Sequence, residues 1–184
     1  MAGQRACGSI SGVTLIELLV TMAILALLLT SLAPAFHHLE QRRRIAGVSR
    51  EFLSTLMLTR QAAIERSQRV TLCPSADGTT CLPEGQWHRG WLVFADLDRD
   101  REHDSGESVV SSHGRLDGVT LTSSRWRRRI SFKPLGTAGG SNATFTLCAG
   151  GEADPRAIVL SRLGRARVSE TRPGGEALEC PESP

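Results

Sequence analysis

Gly12 is followed by an apolar run that carries a single carboxylate, and this combination limits what the N-terminal part of the chain can become. Across residues 13–36 nearly every side chain is Leu, Val, Ile, Ala, Met or Thr, and Glu17 is the one ionisable group. At about 1.5 Å rise per residue, a helix of that length crosses a hydrocarbon core of about 30 Å. A charge at mid-membrane costs about 2.5–3.5 kcal/mol on insertion scales, so Glu17 calls for a partner. Cleavage after Gly12 would supply one, the free amine of Val13 in the same or a neighbouring helix. Residues 1–12 are polar with one basic group, Arg5. An ordinary secretory signal is cut behind its apolar stretch, after small residues, and residues 36–40 offer no such site. The helix is therefore expected to be retained.

Beyond the apolar run, the remainder of the chain is of ordinary single-domain size. The formal net charge of +3 argues for no particular partner, but its distribution is uneven: Lys133 is the only lysine, and the arginines cluster. Cys7 lies in the segment that cleavage would remove, leaving Cys73, Cys81, Cys148 and Cys180. An even number in an exported domain suggests two disulfides. Four cysteines allow three connectivities. The short loop favours Cys73 with Cys81, which leaves Cys148 with Cys180 by elimination. A zinc site is the rival, without a CxxC pair or a spaced histidine to support it.

Pro34 removes a backbone donor and is expected to bend the long helix. From residue 39 to 66, Ile45, Val48, Phe52, Leu53, Leu56, Ala63 and Ile64 recur at helical spacing as one buried stripe, with Arg42, Arg43, Arg44, Arg50, Arg60 and Arg66 outside it. The arginines just past the apolar run conflict with the positive-inside rule if that end is exported. After Arg69 come short runs broken by Gly, Pro, Asn and Asp: 70–73, 90–95, 107–111, 119–123, 130–133, 143–148, 157–161 and 165–169 read as strands. The expected fold class is α+β, a long N-terminal membrane helix packed on an antiparallel β-domain. The expected organisation is a leader (1–12), a transmembrane and assembly helix (13–36), its amphipathic continuation (37–69), the β-domain (70–170) and a flexible tail (171–184).

Three side-chain groupings bear on function. Arg165 and Arg167 alternate along a strand, which puts both guanidinium groups on one face about 7 Å apart, near the spacing of neighbouring phosphates. Arg162 and Arg172 can extend that patch, while Glu170, Glu176 and Glu179 in the tail can mask it. The plainer reading is an edge strand protected by charge. Residues 125–129, four arginines around Trp126, suit either single-strand stacking or a turn with a half-buried ring. Asp96, Asp98, Asp100, Asp104 and Glu107 occupy the first, third, fifth, ninth and twelfth places of a calcium-loop pattern. Arg101 stands where that pattern has glycine and no helices flank it, so a solvated acidic hairpin is the alternative. His88, His103 and His113 are scattered without a nucleophile pattern; no catalytic site and no cofactor is expected.

These segments carry two resemblances. Glycine, then Val13-Thr14-Leu15-Ile16-Glu17-Leu18-Leu19 and the apolar run, resembles the class III prepilin signal, with Val13 where phenylalanine is usual. Val70-Thr71-Leu72-Cys73-Pro74, Gly90-Trp91-Leu92-Val93-Phe94, Phe145-Thr146-Leu147-Cys148 and Gly164-Arg165-Ala166-Arg167 resemble successive motifs of the GspH/FimT family of minor pilins and pseudopilins. The resemblance implies a type IV pilin-like fold and cleavage between Gly12 and Val13 by a prepilin peptidase. It also implies assembly through Glu17 with other pilin subunits, and residence in the inner membrane with a periplasmic domain before assembly into a pilus. For the FimT type it implies DNA binding by the Gly-Arg-x-Arg element, for uptake in natural transformation. The alternative is a structural subunit without DNA contact, either a FimU-like pilus-priming pilin or a GspH-like tip pseudopilin of type II secretion.

Overall fold

In the computed structural model, which describes residues 12–124, 126–139, 142–150 and 154–180 without the side chains of 30–35 and 37, Thr14 starts the long helix. Its Oγ1 accepts the Glu17 N–H (3.4 Å), one of the donors that the first helical turn leaves unsatisfied. The helix, α1 (Leu15–Glu65), contributes to both compact units of the chain, Met1–His37 and His38–Pro184.

In the first unit, the apolar side chains of residues 15–29 are exposed on every face, Leu15 at 78% and Val20 at 50%. A helix that is apolar all round has no solvated face. Among the described residues, no helix is long and apolar enough to cross a membrane. The helix continues without interruption through Pro34, where a bend was expected.

In the second unit, Ile45, Ser49, Phe52, Leu56, Thr59 and Ala63 form the buried stripe of the helix, spaced by alternating steps of four and three. The polar members fit because each hydroxyl donates back along the helix, Ser49 to the Ile45 carbonyl (2.7 Å) and Thr59 to that of Thr55 (2.6 Å). The expected stripe is thereby corrected at two places. Ile64 is 48% exposed, and Arg60, expected outside, is half-buried with its Nε lacking a partner among the described residues.

Eight strands are described: β1 (Val70–Pro74), β2 (Trp91–Ala95), β3 (Val109–His113), β4 (Val119–Ser123), β5 (Ile130–Phe132), β6 (Ala143–Ala149), β7 (Arg156–Leu160) and β8 (Ala166–Ser169). All pairings are antiparallel, in two sheets ordered β3-β2-β1-β5 (sheet A) and β4-β6-β7-β8 (sheet B). Strands β1 and β2 are buried on both faces, whereas β4 and the first half of β6 alternate, with Leu121, Phe145 and Leu147 facing the core and Thr122, Thr144 and Thr146 facing away. Phe52 of the helix meets Trp91 of sheet A (5.2 Å), Phe145 of sheet B (4.7 Å) and Trp87 of the linking turn (5.4 Å), all edge to face.

The cysteines are joined as Cys73–Cys81 and Cys148–Cys180. Within the first loop the Asp77 carboxylate accepts the Thr80 hydroxyl and the Thr79 and Thr80 N–H groups. These bonds, the Thr80 hydroxyl foremost, hold it well below the usual carboxylate range.

The β7–β8 turn rests on a second turn at Gly136. Gly164 has φ +77°, and a Cβ there would lie 2.1 Å from the Gly136 carbonyl oxygen. The Ala138 N–H donates to the Arg162 carbonyl (3.0 Å), pinning the tip.

Two substitutions probe this packing. Phe52→Ala should cost about 3–5 kcal/mol in denaturant unfolding of the oxidised protein, since the ring bridges both sheets. Gly164→Ala should cost about 1–3 kcal/mol for its backbone conformation alone, and more because the Gly136 carbonyl must move. A midpoint unchanged from the parent in either variant would contradict the packing described.

Candidate functional site

Gly12 and Val13 are exposed, and among the described residues beyond its chain neighbours nothing lies within 4 Å of where a Gly12 Cβ would stand. Glu17 occupies the third helical position of a Thr-x-x-Glu capping sequence, exposed, at the positive end of the helix dipole. A carboxylate is favoured there by the helix itself, and it remains open to a cation from another chain.

The arginine patch lies on sheet B. Strand β8 is an edge strand, and its pairing sets Arg167 opposite Val159, which in turn stands opposite Thr144 of β6. Arg167 therefore projects on the outer face, while Ala166 and the partly exposed Val168 stand against Leu160 and Ile158; Arg165 precedes β8, its carbonyl accepting the Ser161 N–H (2.8 Å). Arg162, Arg165 and Arg167 are exposed, and among the described residues their side chains form no ion pair. Arg172 is half-buried beyond β8. It lines a depression on the same outer face with Thr122, Thr144, Thr146, Arg127 and Glu179. Sequence reasoning missed this hydroxyl floor. The alternation Thr144-Phe145-Thr146-Leu147 carried the signal, a polar face with nothing charged on it.

Residues 171–180 cross this region. They are tied down by the Cys148–Cys180 bond and by a turn in which the Arg172 N–H donates to the Glu176 carbonyl (2.9 Å). Glu170 is engaged elsewhere, paired with Arg156. Of the three acidic residues expected to mask the patch, Glu179 is the one that lines the depression.

The second basic cluster has a different use. Arg127 donates to the Asn142 carbonyl (2.8 Å), Arg128 to that of Pro83, and Arg129 to that of Leu82 (2.8 Å) and to both carboxylate oxygens of Glu102 (2.6 and 2.7 Å). These guanidinium groups staple loops together. Trp126 is 79% exposed rather than half-buried. The cluster comes directly after β4, at the opposite edge of sheet B from β8.

In the acidic loop, oxygens of Asp96, Asp98 and Glu107 lie within 4.8 Å of one another, as do those of Asp98, Asp100 and Asp104. His88, His103 and His113 each meet a partner within the fold. His113 stacks on Trp91 (4.2 Å) and meets Glu51 (2.8 Å), His103 bonds the Thr79 carbonyl (2.6 Å), and His88 lies 3.3 Å from that of Leu121.

The comparisons with known proteins agree with this geometry. The family model described as type II transport protein GspH matches residues 48–164, and the prokaryotic N-terminal methylation motif matches residues 8–33. The pilin-like protein PilA1 of Thermus thermophilus is 30% identical over 164 residues, covering 85% of this chain and 97% of that protein. Among solved structures, the type IV minor pilin FimU of Pseudomonas aeruginosa has a TM-score of 0.56 at 19% identity, over 78% of this chain and 96% of FimU. A second crystal form of FimU has a TM-score of 0.53. The fold is thus type IV pilin-like, and the chain belongs to the GspH family of pilins and pseudopilins, with the N-terminal methylation motif at the start of its helix.

Proposed function

We propose that this chain is a minor pilin that joins a type IV pilus through its N-terminal helix and binds DNA non-specifically along the outer face of sheet B, for uptake in natural transformation. The observation that carries the subunit reading is the stretch 15–29, apolar on every face with one carboxylate near its start. Such a surface needs other apolar helices or lipid around it. Before assembly the helix lies in the inner membrane with residues 38–184 in the periplasm, an oxidising compartment that suits two disulfides. A prepilin peptidase removes residues 1–12, the Val13 amine is methylated, and Glu17 neutralises that amine on an adjacent subunit. The pilin-like name of the Thermus relative supports this reading.

DNA contact rests on Arg165, just before the edge strand β8, and Arg167 within it, both exposed, in the sheet that carries a floor of threonine hydroxyls. Guanidinium groups and hydroxyls at that spacing suit phosphate oxygens, and such contacts position a duplex without reading its sequence. A second reading, a structural subunit of a pilus or type II secretion pseudopilus with protein partners only, is favoured by Glu179. That residue and Arg172, both in the tail held by Cys148–Cys180, line the same depression.

Replacing Gly12 by tryptophan should leave the precursor uncut, whereas Glu17→Val should be processed to a Val13 N-terminus yet be lost from filaments. Mass spectrometry of membrane and filament fractions reads both, and an intact leader in filaments would refute the scheme. For DNA, the full chain in detergent should bind unrelated duplexes with similar weak affinity. Log K against log salt should fall with a slope of about −2 to −4 for two to four phosphate contacts. The double change Arg165→Gln and Arg167→Gln should weaken binding and flatten that slope, with the melting temperature nearly unchanged because exposed charges contribute under about 1 kcal/mol. Absence of binding at low salt would leave the structural-subunit reading.

A further inference from the structure

We propose that the loop of residues 96–107 binds one hard divalent cation of the calcium class, with Asp96, Asp98 and Glu107 as carboxylate ligands and Asp100 and Asp104 completing the shell. The starting observation is a buried oxygen. Asp96 is 1% exposed at the end of β2; its Oδ2 accepts the Thr71 hydroxyl (2.7 Å), and its Oδ1 is buried without a partner among the described residues. A buried carboxylate oxygen with no donor is costly, and a cation satisfies it directly.

The surroundings favour a cation over a proton donor. Asp96, Asp98 and Glu107 each offer an oxygen within 4.8 Å of the others. Ligands around one calcium ion, at about 2.3–2.6 Å, are at most about 5 Å apart, so the three can share an ion with little movement. Among the described residues none of these three, nor Asp100 or Asp104, forms an ion pair. Two of the nearby arginines are spent on backbone and on Glu102, while Arg99 and Arg101 belong to the loop itself. Arg69 donates to the Arg99 carbonyl (3.2 Å), and Arg129 to the Arg101 carbonyl (3.1 Å) and the Glu102 carboxylate.

Arg101 removes the sequence objection to this loop. It sits at the sixth place, where calcium loops of this pattern carry glycine for a sharp turn, and it adopts φ +73°. The turn that glycine would make is therefore made, and Arg129 and Arg69 brace it from outside. Glu107, at the twelfth place, already closes the loop by accepting the Leu97 N–H (2.6 Å) and the Asp104 N–H (3.3 Å), and each oxygen keeps a lone pair for a metal. Several carboxylates on one irregular loop suit the larger calcium ion, which tolerates variable geometry, better than magnesium, which demands a near-ideal octahedron and keeps its waters.

The test uses the full chain in detergent, stripped with chelator and titrated with calcium chloride and, in parallel, magnesium chloride, by equilibrium dialysis and calorimetry. One saturable calcium site is expected, with a Kd of about 10⁻⁴ to 10⁻³ M, the range of extracellular calcium modules, and weaker binding of magnesium. Asp98→Asn, an exposed change, should weaken calcium at least about tenfold while melting like the parent in chelator. Glu102→Gln, at the place that would offer its carbonyl, should bind like the parent. No saturable binding up to about 10 mM calcium, equal affinity for magnesium, or an Asp98→Asn variant that binds as the parent does would each overturn the proposal.

Discussion

Phe52 is the residue through which helix and sheets are made one core. Its ring is fully buried and meets an aromatic from each sheet and one from the turn between β1 and β2, so four rings lock edge to face. Edge-to-face pairs contribute about 0.5–1.5 kcal/mol each beyond the area they bury, and they fix orientation as simple apolar contact does not. This matters because the two sheets share no strand-to-strand ladder among the described residues. Sheet A is oriented against sheet B through the helix on which both pack and through the β1–β2 linker, where Gln86 bridges to Thr122 and the Trp87 indole donates to Ser123.

From this arrangement the charge distribution acquires a sense. Arg69, Arg127, Arg128 and Arg129 hold loop carbonyls and Glu102, whereas Arg162, Arg165 and Arg167 at the β8 edge are exposed, in the sheet whose outer face is paved with threonine. The two carboxylate groupings divide in the same way. Asp77 is saturated by donors from its own disulfide loop. The loop after β2 is different, for it holds six carboxylates in twelve residues, with Glu102 the one in an ion pair among the described residues. Charge that is satisfied locally shapes the fold; charge left over is what remains for partners.

The strands are legible in the sequence because punctuation by Gly, Pro and Asp and a period-two pattern are local signals, and each expected run overlaps an observed strand with ends differing by a residue or two. The helix stripe is less so. Ser49 and Thr59 read as polar, but hydroxyls that donate to a carbonyl four residues back can be buried at little cost. Ile64 reads as core but is half exposed beside the fully buried Ala63, its side chain lying against the turn at Gly136. The arginine-rich run 125–129 invites a nucleic-acid reading, yet its described arginines are stapled to carbonyls from loops distant in sequence. Sequence spacing carries no information on such partners. The expectation that Arg165 and Arg167 share a face rests on local alternation alone, and of the two only Arg167 lies within β8.

Gly164 ties that local element to the global packing. Its φ of +77° and its closeness to the Gly136 carbonyl seat the β7–β8 turn on a second turn, and the Arg60 side chain from the helix lies against both glycines. The direction in which Arg162, Arg165 and Arg167 project therefore depends on a three-way contact between helix, turn and turn. A side chain at Gly164 acts on the arginines without touching them, by lifting the turn from its seat. Exposed arginines on an edge strand would otherwise be free to fan out, and long flexible cations lose entropy when they converge on a phosphate. Fixing the backbone beneath them lowers that loss, which is the physical reason a glycine belongs in front of this pair.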